Sequence, residues 1–127
     1  MGGQKKKILI IEDDPTQSMM YEVALTTAGY KTIMASTAKS GIALAQKEKP
    51  DLIYLDMVLG DISGSDVIKI LKADPLTKEL TIVVLSNLNK KETIDKCRQL
   101  GATDFLIKMQ YLPKDVVEKT KEYLKIN

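Results

Sequence analysis

Ile8-Leu9-Ile10-Ile11-Glu12-Asp13-Asp14-Pro15 is the stretch from which the fold follows. Four aliphatic residues in a row, three of them β-branched, describe a strand covered on both faces, because a strand with one wet face alternates apolar and polar residues. The block stops at three acids and a proline. Asp14 is a good N-cap and Pro15 a good first helical residue, so the strand runs straight into a helix. Apolar Met20, Val23, Ala24 and Ala28 then recur at helical spacing until Gly29, a C-terminal stop.

The unit repeats along the chain. Tyr30 to Ala35 reads as a second strand, followed by a helix capped by Ser36 with Ala38, Ile42 and Ala45 on its apolar stripe before Pro50. Leu52 to Asp56 is a third strand that ends on a carboxylate. It is followed by a loop with Gly60 and Gly64, taken as turn devices, and a helix over Val67, Ile68 and Leu71. The polar segment from Ala73 to Glu79, with Asp74-Pro75, is a loop. Thr81 to Ser86 is the fourth strand, and Asn89 caps a helix that uses Ile94 and Cys97 and ends near Leu100-Gly101. Phe105 to Ile107 is a short fifth strand ending at Lys108. Pro113 to Lys125 closes the chain as an amphipathic helix with Val116, Val117, Thr120 and Leu124 on one face. Apolar strands alternating with helices call for an α/β, doubly wound architecture: a five-stranded parallel sheet with helices on both sides.

Composition narrows the chemistry. The 127 residues suit one domain over residues 1–127, with 1–5 read as a flexible N-terminal tail. Nineteen basic and seventeen acidic residues leave a formal charge of +2, too balanced to argue for nucleic acid or an anionic membrane as partner. With no histidine, a Ser-His-Asp triad and a His-Zn site are excluded. Cys97 is the one cysteine, which excludes an intramolecular disulfide and fits a reducing, cytoplasmic compartment. The apolar runs are far shorter than the ~20 residues needed to span a bilayer.

Doubly wound sheets bind ligands beyond the carboxyl ends of their strands. Those ends deliver Glu12 and Asp13, Asp56, Ser86 and Lys108: three acids, a hydroxyl and an amine. Close carboxylate pairs repel by about 1 kcal/mol in water and about 4 kcal/mol in a partly buried site. One lysine does not balance three acids, but an oxygen-ligated divalent cation such as Mg²⁺ does. Cation and lysine together then attract a further anion. A phosphoryl group would meet the metal, the Lys108 ammonium and the Ser86 hydroxyl while the Asp56 carboxylate attacks phosphorus. Each residue also has a plainer reading. Asp14 is a helix cap, Glu12 and Asp13 could be caps or solvated acids, Lys108 a loop lysine and Ser86 a turn former. Their convergence at four strand ends favours the chemistry.

With those residues in that order, the sequence resembles the response-regulator receiver domains of two-component signalling over essentially its whole length. The resemblance implies a flavodoxin-like sheet with strand order 2-1-3-4-5. A histidine kinase or histidine phosphotransfer protein would donate a phosphoryl group to Asp56. Mg²⁺, or Mn²⁺ as a substitute, would be held by Asp13, Asp56 and the Val58 backbone carbonyl, with Glu12 assisting through water. Ser86 would move toward the phosphoryl oxygens and Phe105, the one Phe, would turn inward, changing the face made by helix four, strand five and helix five. The plainer reading of Phe105 is a core aromatic. A downstream protein target, with no nucleic-acid or membrane contact, and a monomer or phosphorylation-dependent dimer complete the expectation.

The sequence departs from that family's usual pattern in three ways. Met109 follows Lys108 where relatives carry proline, often after a cis bond, so a trans bond and an altered loop from Met109 to Leu112 are expected. Asn87 replaces a small residue after Ser86. Val58 and Leu88 stand where polar groups often orient water, which predicts slow self-dephosphorylation. Three other readings compete. A pseudo-receiver would keep the fold without taking phosphate. A flavodoxin-like electron carrier would need a phosphate loop where Glu12-Asp13-Asp14 stands. A phospho-aspartate phosphatase would want an acid at Val58.

Overall fold

A computed structural model describes residues 5–125, so the expected tail at 1–5 lies almost wholly outside the described residues. Strands β1 (Lys7–Ile11), β2 (Lys31–Ala35), β3 (Leu52–Leu55), β4 (Ile82–Ser86) and β5 (Asp104–Ile107) alternate with helices α1 (Pro15–Thr27), α2 (Ala38–Glu48), α3 (Gly64–Ala73), α4 (Lys91–Leu100) and α5 (Pro113–Tyr123). All neighbouring strands are parallel, in the order β2-β1-β3-β4-β5, as expected. The chain leaves β1 toward one edge and returns to its other side at β3, so the crevice between β1 and β3 is the topological switch point. Register sets Ile11 beside Leu55, which brings Glu12 and Asp56 out of the sheet together.

The two-residue side-chain period of a strand builds two cores from the same runs. Leu9, Ile11, Ile53, Leu55, Ile82, Val84 and Phe105 pack on one face with residues of α2, α3 and α4. Ile8, Ile10, Leu52, Tyr54, Val83, Leu85 and Leu106 pack on the other with Tyr21, Leu25 and Val116 of α1 and α5. The hydroxyl of Tyr54 meets Thr120 Oγ1 at 2.6 Å, and Thr120 donates to the Val116 carbonyl, so this polar chain is satisfied inside the second core.

Several local expectations are corrected. Helix α1 buries Tyr21 and Leu25, while Met20, Val23 and Ala28 are exposed and Ala24 is half-buried. Met19, Met20, Tyr21, Val23, Ala24 and Leu25 are all apolar, so spacing alone offered more than one face. The pair of large side chains four residues apart removes more apolar area from water. Asp14 does cap this helix, accepting from Thr16 and Gln17, with Pro15 at its start. The cap of α2 is Thr37, not Ser36. Its Oγ accepts the Ser40 N–H while Ser40 Oγ accepts the Thr37 N–H, a reciprocal box that Ser36 lies one residue too early to form.

Asn89 likewise sits one residue ahead of the cap position of α4, which falls on Lys90 and has no side-chain hydrogen bond. Tyr30 precedes β2, because its N–H closes the end of α1 on Leu25, and the last helix stops at Tyr123. Lys108 opens a 3₁₀ turn, Lys108–Gln110, and no peptide bond among the described residues is cis, as expected for Lys108-Met109. No described helix is long and apolar enough to cross a membrane.

Candidate functional site

Glu12, Asp56 and Lys108 each lie one residue beyond a strand, so the rigid sheet aims them at a common point. Lys108 Nζ is 2.5 Å from Glu12 Oε1 and 3.1 Å from Asp56 Oδ2, with all three side chains at most 10% exposed. Asp13 is exposed beside them, and the carboxylates of Glu12, Asp13 and Asp56 each place an oxygen within 4.8 Å of the others. Three carboxylates against one ammonium leave a net charge of −2 when all are ionised, which one divalent cation balances. The donor set is entirely oxygen, the kind that hard cations such as Mg²⁺ and Mn²⁺ accept.

Electrostatics shows how tightly this group is held. Burial pushes the Glu12 carboxyl above its usual range and its own repulsion with Asp56 adds to that, although the Lys108 hydrogen bond and the Asp14 N–H pull the other way. Burial alone would lower the Lys108 ammonium. The Glu12 hydrogen bond and the charges of Asp56 and Glu12 outweigh it, so Lys108 is held above the ordinary lysine value. Glu12 uses both oxygens, Oε1 for Lys108 and Oε2 for the Asp14 N–H at 3.1 Å. Asp56 accepts from Lys108 on Oδ2 and, at a long 3.4 Å, from the Val58 N–H on Oδ1, so a cation sharing this site meets the exposed Asp13 and the weakly held Oδ1 of Asp56.

Next to the acids lies a cavity of about 260 Å³ lined by Asp56, Val58, Ser86, Asn87, Leu88 and Lys108. Ser86 is buried at its edge, with Oγ at a long 3.4 Å from the Leu88 N–H. Val58 and Leu88 border the cavity with exposed apolar side chains. Phe105 does not line it; the ring is already in the core beneath α4. Asp56, Ser86, Lys108, Glu12, Asp13 and Val58 thus come together, while Phe105 stands one layer behind them.

In the loop after β3, Gly60 is the turn device expected, with φ +85°, a conformation that a side chain would strain. The loop also carries features that the sequence reading missed. Gly64 is no turn device: it is the first residue of α3, where a Cβ would fall 2.7 Å from Met57 Cα and 2.8 Å from the Asp56 carbonyl oxygen. The start of α3 thereby presses against the backbone of Asp56. Asp61 accepts the N–H groups of Ala38 and Lys39 at 3.0 Å each, binding this loop to the start of α2, and those bonds hold its carboxyl below the usual range. An acid between two glycines in a loop gives no sequence signal of the helix it will cap. Equally silent is the hydrogen bond from the Met109 N–H to Asn87 Oδ1, 2.9 Å, which joins residues from two different loops.

Comparison with known proteins agrees with this geometry. The chain is 32% identical over 120 residues to the phosphate regulon transcriptional regulatory protein PhoB of Pseudomonas aeruginosa, covering 94% of this chain and 52% of that protein. It thus spans about half of PhoB. A crystal structure of a response regulator from Chloroflexus aurantiacus superposes with a TM-score of 0.86 at 30% identity, covering 95% of this chain and 98% of the other. The Mn²⁺-bound form of response regulator Rcp1 superposes with a TM-score of 0.84 at 25% identity, covering 96% of each chain. Residues 8–120 match the family described as the response regulator receiver domain, and with this fold and this acidic pocket the chain belongs to that family.

Proposed function

We propose that the protein accepts a phosphoryl group on Asp56 from a histidine kinase or histidine phosphotransfer protein and passes the signal to a protein target. The observation that carries this is the group of Glu12, Asp13 and Asp56 carboxylates gathered around Lys108 at the switch point of the sheet. An Asp56 carboxylate oxygen attacks phosphorus, the bond to the donor's imidazole nitrogen breaks, and that nitrogen keeps the electron pair. The product is an acyl phosphate. Lys108 has three N–H donors and uses two on Glu12 and Asp56, so the third is available to a phosphoryl oxygen.

Asp13, Asp56 and the Val58 carbonyl are the proposed metal ligands, with Glu12 acting through water because its two oxygens are held by Lys108 and the Asp14 N–H, whereas Asp56 Oδ1 makes only a long 3.4 Å contact with the Val58 N–H. Mg²⁺ or Mn²⁺ in that place would screen the carboxylates and the phosphoryl oxygens from one another. The Mn²⁺ in the Rcp1 structure supports this choice. Ser86, whose hydroxyl makes one long contact, is the residue free to turn toward a phosphoryl oxygen. Phe105 lies behind it against α4, and together they link the pocket to the face of α4, β5 and α5. The setting is cytoplasmic, without nucleic-acid or membrane contact, as a monomer or a dimer formed on phosphorylation.

The test is incubation with acetyl phosphate and Mg²⁺ followed by weighing the intact chain. Wild type gains one phosphoryl group, Asp56→Asn gains none, and chelation of the metal reduces labelling to background. Equal labelling of wild type and Asp56→Asn overturns the proposal.

A further inference from the structure

Two loops frame the mouth of the cavity, and a single side chain spans them. Asn87 directly follows Ser86 at the end of β4, and Met109 directly follows Lys108 at the end of β5. The Met109 N–H donates to Asn87 Oδ1 at 2.9 Å, so the bond joins the neighbours of the pocket's hydroxyl and of its ammonium. The bond needs both of this chain's residues. A side chain without an acceptor at 87 abandons the Met109 N–H to water. A proline at 109 would have no N–H, and it would disfavour the helical backbone of Lys108, which opens the 3₁₀ turn.

Little else fixes the loop from Asn87 to Lys90. All four residues are exposed, α4 begins without a side-chain cap, and the Leu88 N–H lies 3.4 Å from Ser86 Oγ. Leu88 and Val58 nevertheless stand over the mouth as apolar walls. Their usefulness as walls depends on that loop staying put.

We infer that Asn87 is a positioning residue: by accepting the Met109 N–H it latches the two loops across the pocket mouth and lengthens the life of an acyl phosphate on Asp56. The inference rests on the phosphoryl-accepting reading above. In the reaction that ends the signal, a water oxygen attacks phosphorus on the side away from Asp56. The bond from phosphorus to the Asp56 oxygen breaks, its electron pair returns to the carboxylate, and inorganic phosphate leaves as the water gives up a proton to solvent. The attacking water enters through the mouth, and the latch holds Leu88 in its way.

The experiment uses wild type, Asn87→Ala, Met109→Pro, the double variant and Met109→Leu, which keeps the N–H. Amide hydrogen exchange at residue 109 is first compared in the unphosphorylated proteins; it accelerates in Asn87→Ala and stays at the wild-type rate in Met109→Leu. Each protein is then labelled with acetyl phosphate and Mg²⁺, the donor is removed, and loss of phosphoryl groups is timed. Asn87→Ala shortens the life about fivefold, the effect one neutral hydrogen bond can exert. Met109→Leu behaves as wild type, and the double variant is no shorter-lived than the worse single one, since the two residues act as a unit. Unchanged exchange at residue 109, an unchanged lifetime in Asn87→Ala, or additive losses overturn the latch alone. A wild type that takes no phosphoryl group overturns the parent reading and the latch with it.

Discussion

Helices α3 and α4 are each ten residues long and pack against each other, yet they are held very differently. Helix α3 opens with Ser63 accepting the Asp66 N–H, seats Gly64 against the backbone of Asp56 and Met57, and buries Val67, Ile68 and Leu71. Helix α4 opens at Lys90 without a side-chain cap and buries one residue, Cys97, whose thiol lies 3.6 Å from the Met57 sulfur. Anchoring therefore concentrates beside β3, which leads into Asp56, and thins out beside β4, which ends on Ser86. Low local stability is where movement costs least. By that measure α4 is the more weakly held of the two, with one buried residue and no side-chain cap.

Core truncation should break this comparison most visibly. Leu71→Ala removes a fully buried side chain from α3 and is expected to cost about 3 kcal/mol, the middle of the range for such cavities. Cys97→Ala removes a single sulfur from α4 and is expected to cost about 1 kcal/mol. Urea unfolding measures both. Equal losses would mean that α4 is as well anchored as α3.

Capping gives a finer contrast. Ser63→Ala deletes a working cap and should destabilise by about 1 kcal/mol. Lys90→Ser supplies a cap that α4 lacks and should stabilise by about 0.5 kcal/mol. Thermal unfolding of both variants shows opposite signs if the two helix starts differ as described. A loss in Lys90→Ser would show that the start of α4 is already satisfied by other means.

The sequence made the sheet legible because parallel strands are buried on both faces and read as unbroken aliphatic runs, from Ile8 to Ile11 and from Ile82 to Leu85. It made the acids and Lys108 legible because they stand where those runs stop. Helix faces were harder. In α1 the apolar residues surround much of the helix, and periodicity could not choose Tyr21 and Leu25 over Met20 and Val23. The pairing of Lys108 with Glu12, the Asp61 clasp on α2 and the Asn87 bond to Met109 were not legible at all, since each depends on how loops distant in sequence meet. Caps at Thr37 and Lys90 differed from expectation by one residue, the scale on which hydrogen-bonding geometry rather than residue type decides.

The smallest expected effect concerns the far end of α4, which is better held than its start. Gly101 ends the helix at φ +117°, and Arg98 Nη2 reaches Asp104 Oδ1 at 3.4 Å. Asp104 Oδ2 also accepts the Tyr123 hydroxyl at 2.6 Å, and Oδ1 accepts the Phe105 N–H, so one carboxylate joins α4, β5 and α5. Burial works against its ionisation, but the Tyr123 and Phe105 bonds, with Lys119 and Arg98 nearby, hold its carboxyl below the usual range. A carboxyl lowered in the folded state contributes its full stability above the unfolded value of about 3.9, and loses it as pH falls through the folded value. The stability advantage of wild type over Asp104→Asn should thus be flat above about pH 5 and shrink as the solution is acidified toward the folded value. Its size should be below about 0.5 kcal/mol, because the pair with Arg98 is partly exposed. Urea unfolding across that range measures it. A constant advantage would mean that shape and neutral hydrogen bonds, not charge, fix the end of α4. A shrinking one assigns part of the hold on the end of α4 to the charge of this carboxylate.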